Sequence, residues 1–75
     1  MLHVNYTIDR KAPDHNAARF TVHRDKNADT QLQGVDLDQA YPDRLTAVHA
    51  VLDAIEAHMA RRYNLGPNEI TIEEK

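Results

Sequence analysis

Leu2, Val4, Tyr6 and Ile8 alternate with His3, Asn5, Thr7 and Asp9. A period of two sends one set to each face of a pleated strand and predicts a half-buried first strand. Arg10 to Asn16 holds Pro13, Asp14 and Asn16, which favour turns. Phe20 and Val22 then alternate with Arg19, Thr21 and His23, giving a second strand. The two runs form an antiparallel hairpin with a longish loop. Asp25 to Asp29 is polar and reads as another turn. From Thr30 to Leu37 the parity of Leu32, Val35 and Leu37 breaks near Gly34, which predicts a third strand bulged at Gly34, with an irregular segment as the alternative.

The next pattern is helical. Leu45, Val48, Leu52, Ile55 and Met59 recur at spacings of three and four, with Val51 beside them. This predicts one apolar stripe on a helix that starts at Pro42 and Asp43 and runs to about Tyr63. Arg61 and Arg62 suit its last turn. Gly66 is expected to take the left-handed cap, and Pro67 to end the helix. Ile70 and Ile72 alternate with Glu69, Thr71 and Glu73 in a short last strand.

The predicted architecture is a single α+β domain over 1–75. It has a small three- to four-stranded antiparallel-type sheet with one long helix on one face, in the order β-β-(β)-α-β. The expected core is Leu2, Val4, Tyr6, Ile8, Phe20, Val22 and Leu37 from the first three runs. Leu45, Val48, Leu52, Ile55 and Met59 come from the helix, and Ile70 and Ile72 from the last strand. His3, Asn5, Thr7, Arg19, Thr21, His23 and Thr71 fall on the other sheet face, which is polar enough to meet water or a partner.

Size sharpens this picture. Seventy-five residues bury only a small core, and such domains commonly add disulfides, a metal or a partner subunit. Cysteine is absent, which excludes disulfides and thiolate zinc sites and fits a reducing compartment. Met1 to Tyr6 shows no basic region before an apolar run, and no apolar run is long enough to span a bilayer. The expectation is therefore a cytoplasmic protein without membrane contact.

The net charge of −3 argues against nucleic-acid binding through the whole surface. The charge is unevenly placed, however. Arg10, Lys11, Arg19, Arg24 and Lys26 cluster around the first hairpin, whereas Asp36, Asp38, Asp43, Asp53 and Glu56 dominate the stretch from Val35 to Glu56. This predicts a dipolar molecule that docks by charge. Phosphate contacts by the basic hairpin would make a nucleic-acid binder, but Tyr6 and Phe20 point inward, leaving the outer sheet face without an aromatic on which bases stack.

Catalytic and metal chemistry find little support. His49 and His58 lie on opposite sides of the helix, while His49 and Asp53 share a face as a solvent-exposed pair. His3 and His23 pair across strands if the hairpin register sets them opposite each other, but no third and fourth metal ligand is identifiable. Serine is absent, and Thr7, Thr21 and Thr71 hold strand positions where threonine is common anyway. Asp9, Asp53, Glu56 and Glu73 belong to no motif that joins two of them. Gly34 and Gly66, the only glycines, form no phosphate loop. No catalytic set, cofactor or metal is expected.

The helix carries a second stripe. Ala47, Ala50, Ala54 and Ala57 lie nearly opposite the large apolar stripe and are expected at the surface, where small side chains let another helix or sheet approach closely. Tyr41 and Tyr63, near the helix ends, would flank such a contact. Alanine is also simply the strongest helix former.

Phe20-Thr21-Val22, then Gly34, then a helix beginning near Pro42-Asp43-Arg44 resembles in layout the small antitoxins of the HicB type, which use a truncated ribonuclease-H-like β-β-β-α-β unit. The likeness covers most of the chain and rests on element order. The proline-glycine strand ending of that family is missing. So is the ribonuclease-H acidic cluster: Asp9 and Glu73 lie near plausible places, but Thr46 stands where an acid is needed. The composition is similar to that of phage-encoded inhibitors, including anti-CRISPR proteins.

The expected function is a small non-enzymatic module that binds another protein, as a homodimer. A nucleic-acid binder using the first hairpin, and a phage-type inhibitor or antitoxin-like protein, are the alternatives.

Overall fold

The computed structural model describes residues 2–25 and 31–75. Met1, Lys26, Thr30 and all but the first residue of the turn expected over Asp25–Asp29 lie outside them. Strand β1 (Leu2–Ala12), β2 (His15–His23), β3 (Gln31–Asp36), helix α1 (Arg44–Tyr63), a 3₁₀ turn at Pro67–Glu69 and β4 (Ile70–Glu74) follow in order. The strands form one sheet in the order β3-β2-β1-β4. β1, β2 and β3 are antiparallel neighbours, and β4 joins the other side of β1 in parallel, with Leu2 beside Ile70 and Val4 beside Ile72. The sheet is thus mixed but mostly antiparallel, with α1 against it, and the third strand is present.

The first hairpin is tighter than expected. Only Pro13 and Asp14 separate the strands, and pairing continues past Ile8 through Asp9–Ala17 and Arg10–Asn16. Apolar alternation reports which side chains are buried, whereas ladder hydrogen bonds need only backbone, so the strands outrun the pattern. The bulge in β3 is also displaced. Gly34 pairs directly with Thr21, and the register slips between Gln33 and Gln31, so the extra residue is Leu32, which is 44% exposed.

Helix α1 begins one step later than proposed. Asp43 is the N-cap rather than a first-turn residue, and its carboxylate accepts the Thr46 amide at 2.7 Å. That hydrogen bond holds the Asp43 carboxyl below its usual range. At the other end the left-handed residue is Asn64, φ 56°, not Gly66. Its amide returns to the Ala60 carbonyl at 3.1 Å, and asparagine tolerates that conformation better than most residues.

The helix is rotated from the expected seating. Ala47, Val51, Ile55 and Met59, spaced by four, are fully buried, while Leu45 is 65% exposed and Val48 and Leu52 are half-buried. A row at i, i+4 is one ridge of a helix, and only that ridge lies against the sheet. Arg44, which leads the same face, ion-pairs with Glu74 of β4, tying the helix start to the sheet. The sheet side of the core is Val4, Ala18, Phe20, Val22 and Ile70. Leu2, Tyr6, Ile8, Leu37 and Ile72 of the expected core pack partly buried around it. Among the described residues, no helix is long and apolar enough to cross a membrane.

Candidate functional site

Three surfaces carry the residues singled out above. The first is the sheet face away from α1. Pairing sets His3 opposite His23, the register that the sequence left conditional, and also Asn5 opposite Thr21 and Thr7 opposite Arg19. This face is less wet than expected, because His3, Asn5 and His23 are buried. The His3 Nε2 faces two acceptors, Asn5 Oδ1 at 3.0 Å and Glu73 Oε2 at 3.3 Å. It therefore carries the proton, and Nδ1 accepts from the Thr71 hydroxyl. His23 Nε2 hydrogen-bonds Thr21 Oγ1 at 2.8 Å, and its buried Nδ1 has no partner among the described residues.

Hydroxyl, imidazole and carboxylate thus stand in a row at Thr71, His3 and Glu73. Sequence reasoning missed this set because β4 pairs with β1 in parallel, a register that no short-range pattern announces. Catalysis also needs a substrate space beside the hydroxyl and donors for the developing charge. The recess on this face, about 380 Å³, is lined by Asn5, Thr7, Thr21 and His23, with Arg19, Gln31 and Lys75 at its rim, and by neither Thr71 nor His3. Among the described residues, no three histidine or acidic side chains converge as a metal set.

The second surface is the basic first hairpin. Arg10 lies beside the turn, opposite Asn16, whereas Arg24 follows His23 at the other end, some eight residues or roughly 27 Å away. Lys11 is 4.0 Å from Asp9, and Arg19 Nε is 3.3 Å from Asp36 Oδ1. Lys26 lies outside the described residues. Among the described residues, these cations do not gather into a single patch.

The third surface is α1 and the cleft at its C-terminal half. The alanine stripe does not share one environment: Ala47 is in the core, Ala50 and Ala54 are half-buried, and Ala57 is exposed. The helix rotation explains this, since the buried ridge falls between the two stripes read from the sequence. Tyr41 and Tyr63 each hydrogen-bond to the sheet. Tyr41 exchanges backbone hydrogen bonds with Asn16 at 2.8 and 3.0 Å. Tyr63 OH donates to Gln33 Oε1 at 3.3 Å.

Gln33 Oε1 also accepts from His58 Nε2 at 3.0 Å. The His58 ring lies edge-on to Phe20, with centroids 5.4 Å apart, and 6.1 Å from Tyr63. Burial, then the charges of Arg62 and Arg61, lower the His58 pKa below its usual value. Around this aromatic row opens a cleft of about 800 Å³ between α1 and β3. Phe20, Val35 and Ala54 give it an apolar floor, and Arg61 and Arg62 rim it. His58 and Gln33 were not legible as site residues, because their meeting depends on where β3 lies under the helix.

No family model, no curated protein and no solved structure matches this chain.

Proposed function

We propose that the chain is a non-enzymatic interaction module that acts by binding another protein, and that it pairs with itself as a homodimer. The observation that carries this is the outward face of α1, where Asp53, Ala57, Ala60 and Arg61 are all exposed. These residues follow one another at helical spacing on one side. Two such helices, packed antiparallel about a two-fold axis at Ala57, set Asp53 of each copy opposite Arg61 of the other. The pairing is self-complementary, as a two-fold interface requires, and the small side chains permit close approach. Within one chain, neither residue has an ion-pair partner among the described residues.

The wider support is the small core of a short, cysteine-free chain, which gains stability from association. The Thr71–His3–Glu73 row, set apart from the polar recess, fits a structural network better than a catalytic one. Size-exclusion chromatography with light scattering tests the dimer. Asp53→Arg and Arg61→Asp each weaken it, and the double exchange restores it. A monomer at high micromolar concentration, or a double variant no better than either single one, removes this interface.

A further inference from the structure

The cleft between α1 and β3 lies next to an edge of the sheet that is free among the described residues, where β3 has a neighbour only in β2. Leu37 N donates to Ala18 O at 3.0 Å. The two-residue alternation of an antiparallel ladder then directs the Val35 backbone at β2 and turns the N–H and C=O groups of Gly34 and Asp36 outward. The opposite edge, β4, is five residues long and ends in Glu73 and Glu74. β3 instead runs Gln31-Leu32-Gln33-Gly34-Val35 without a charge, and the Asp36 at its end is matched by Arg19. An uncharged edge with no strand beside it among the described residues is a template for another strand.

The cleft beside that edge has a definite electrical sign. No carboxylate lines it, and Arg61 and Arg62 at its rim have no carboxylate partner among the described residues. In a chain of net charge −3, this is a local reversal laid over an apolar floor of Phe20, Val35 and Ala54. We propose that an extended, acidic segment of another protein adds to β3 as a further strand. On the face it turns towards α1, apolar side chains rest in the cleft and neighbouring carboxylates meet Arg61 and Arg62. Main-chain hydrogen bonds supply register, the apolar floor supplies contact, and the arginines select the sign of the partner. The inference rests on the interaction-module reading but not on its dimer.

The test is amide chemical-shift mapping of the full chain with three eight-residue probes. These are a peptide with threonine at every second position and valine and glutamate by turns between them, so that both face α1 together, the same peptide with lysine for glutamate, and the glutamate peptide N-methylated at every second residue. The glutamate peptide is expected to shift amides of both Gln31–Asp36 and the end of α1. The lysine and N-methylated peptides are expected to bind at least about tenfold more weakly, as is the glutamate peptide with the Arg62→Glu variant. Shifts that spare β3, equal binding of both signs, or no response at millimolar peptide overturn the site. A monomeric chain that binds the glutamate peptide removes only the dimer, and a dimer that ignores it removes only this site.

Discussion

His3 and His23 stand directly opposite each other across the β1–β2 ladder, yet their rings are held by different neighbours. His3 engages Thr71 and Glu73 of β4 and Asn5 of its own strand, whereas among the described residues His23 has Thr21 alone and one unpaired buried nitrogen. A buried polar group that loses its partner costs more than the bond itself contributes. His3→Phe, which strips partners from Thr71 and Asn5, is expected to lower unfolding free energy by about 1–3 kcal/mol. His23→Phe removes one hydrogen bond and the orphaned nitrogen together and is expected to cost clearly less. Urea denaturation of both variants checks this, and equal losses would show that partner count does not decide the role of these rings.

The seating of α1 is open to an equally direct comparison. Ile55 is fully buried on the ridge, while Leu45 is 65% exposed. Ile55→Ala is expected to destabilise by about 2–5 kcal/mol, the usual cost of such a cavity. Leu45→Ala is expected to stay within about 0.5 kcal/mol of the parent. Comparable losses in urea unfolding would return the helix to the orientation suggested by the three-and-four stripe.

His58 gives the fold a mild dependence on pH. Its folded pKa lies below the ordinary 6.5, through burial first and then Arg62 and Arg61. Between those two values the unfolded chain binds the proton more readily. Stability is therefore fully present above pH 6.5 and is lost as pH falls towards the folded pKa. His58→Gln does not titrate, and it is expected to flatten the change in urea midpoint between pH 7.5 and 5.5. An unchanged slope in the variant would place the effect elsewhere.

Legibility followed the range of the interaction. Leu2 to Ile8 declared its strand because alternation is a property of neighbours, but the register that sets His3 against His23 depends on the two-residue turn at Pro13 and Asp14, which the pattern did not show. Helix α1 was legible in extent for the same reason. Its seating was not, because the large side chains Leu45 and Leu52 outweighed the small Ala47 in a pattern ranked by hydrophobicity. The sheet chose the ridge of Ala47, Val51, Ile55 and Met59 instead. Ala18 was likewise missed, being small and set between polar Asn16 and Phe20.

The candidate sites needed longer range still. Thr71 and Glu73 reach His3 only through the β1–β4 pairing, and Gln33 reaches His58 only through the β2–β3 pairing that lays β3 beside the helix. Neither event has a local signature strong enough to read in advance. The basic hairpin shows the converse, since nearness in sequence suggested a patch that an extended ladder pulls apart.

The parallel seat of β4 has a consequence for the chain's life before it is folded. His3 and Thr71 are 68 positions apart, so during synthesis the first hairpin leaves the ribosome well before the strand that completes it. Until Ile70 emerges, one flank of β1 stays open to any passing strand, including that of a sibling chain on the same messenger. A product cut short before that residue keeps the flank open for good, which makes it a natural target for proteases that clear unfinished chains.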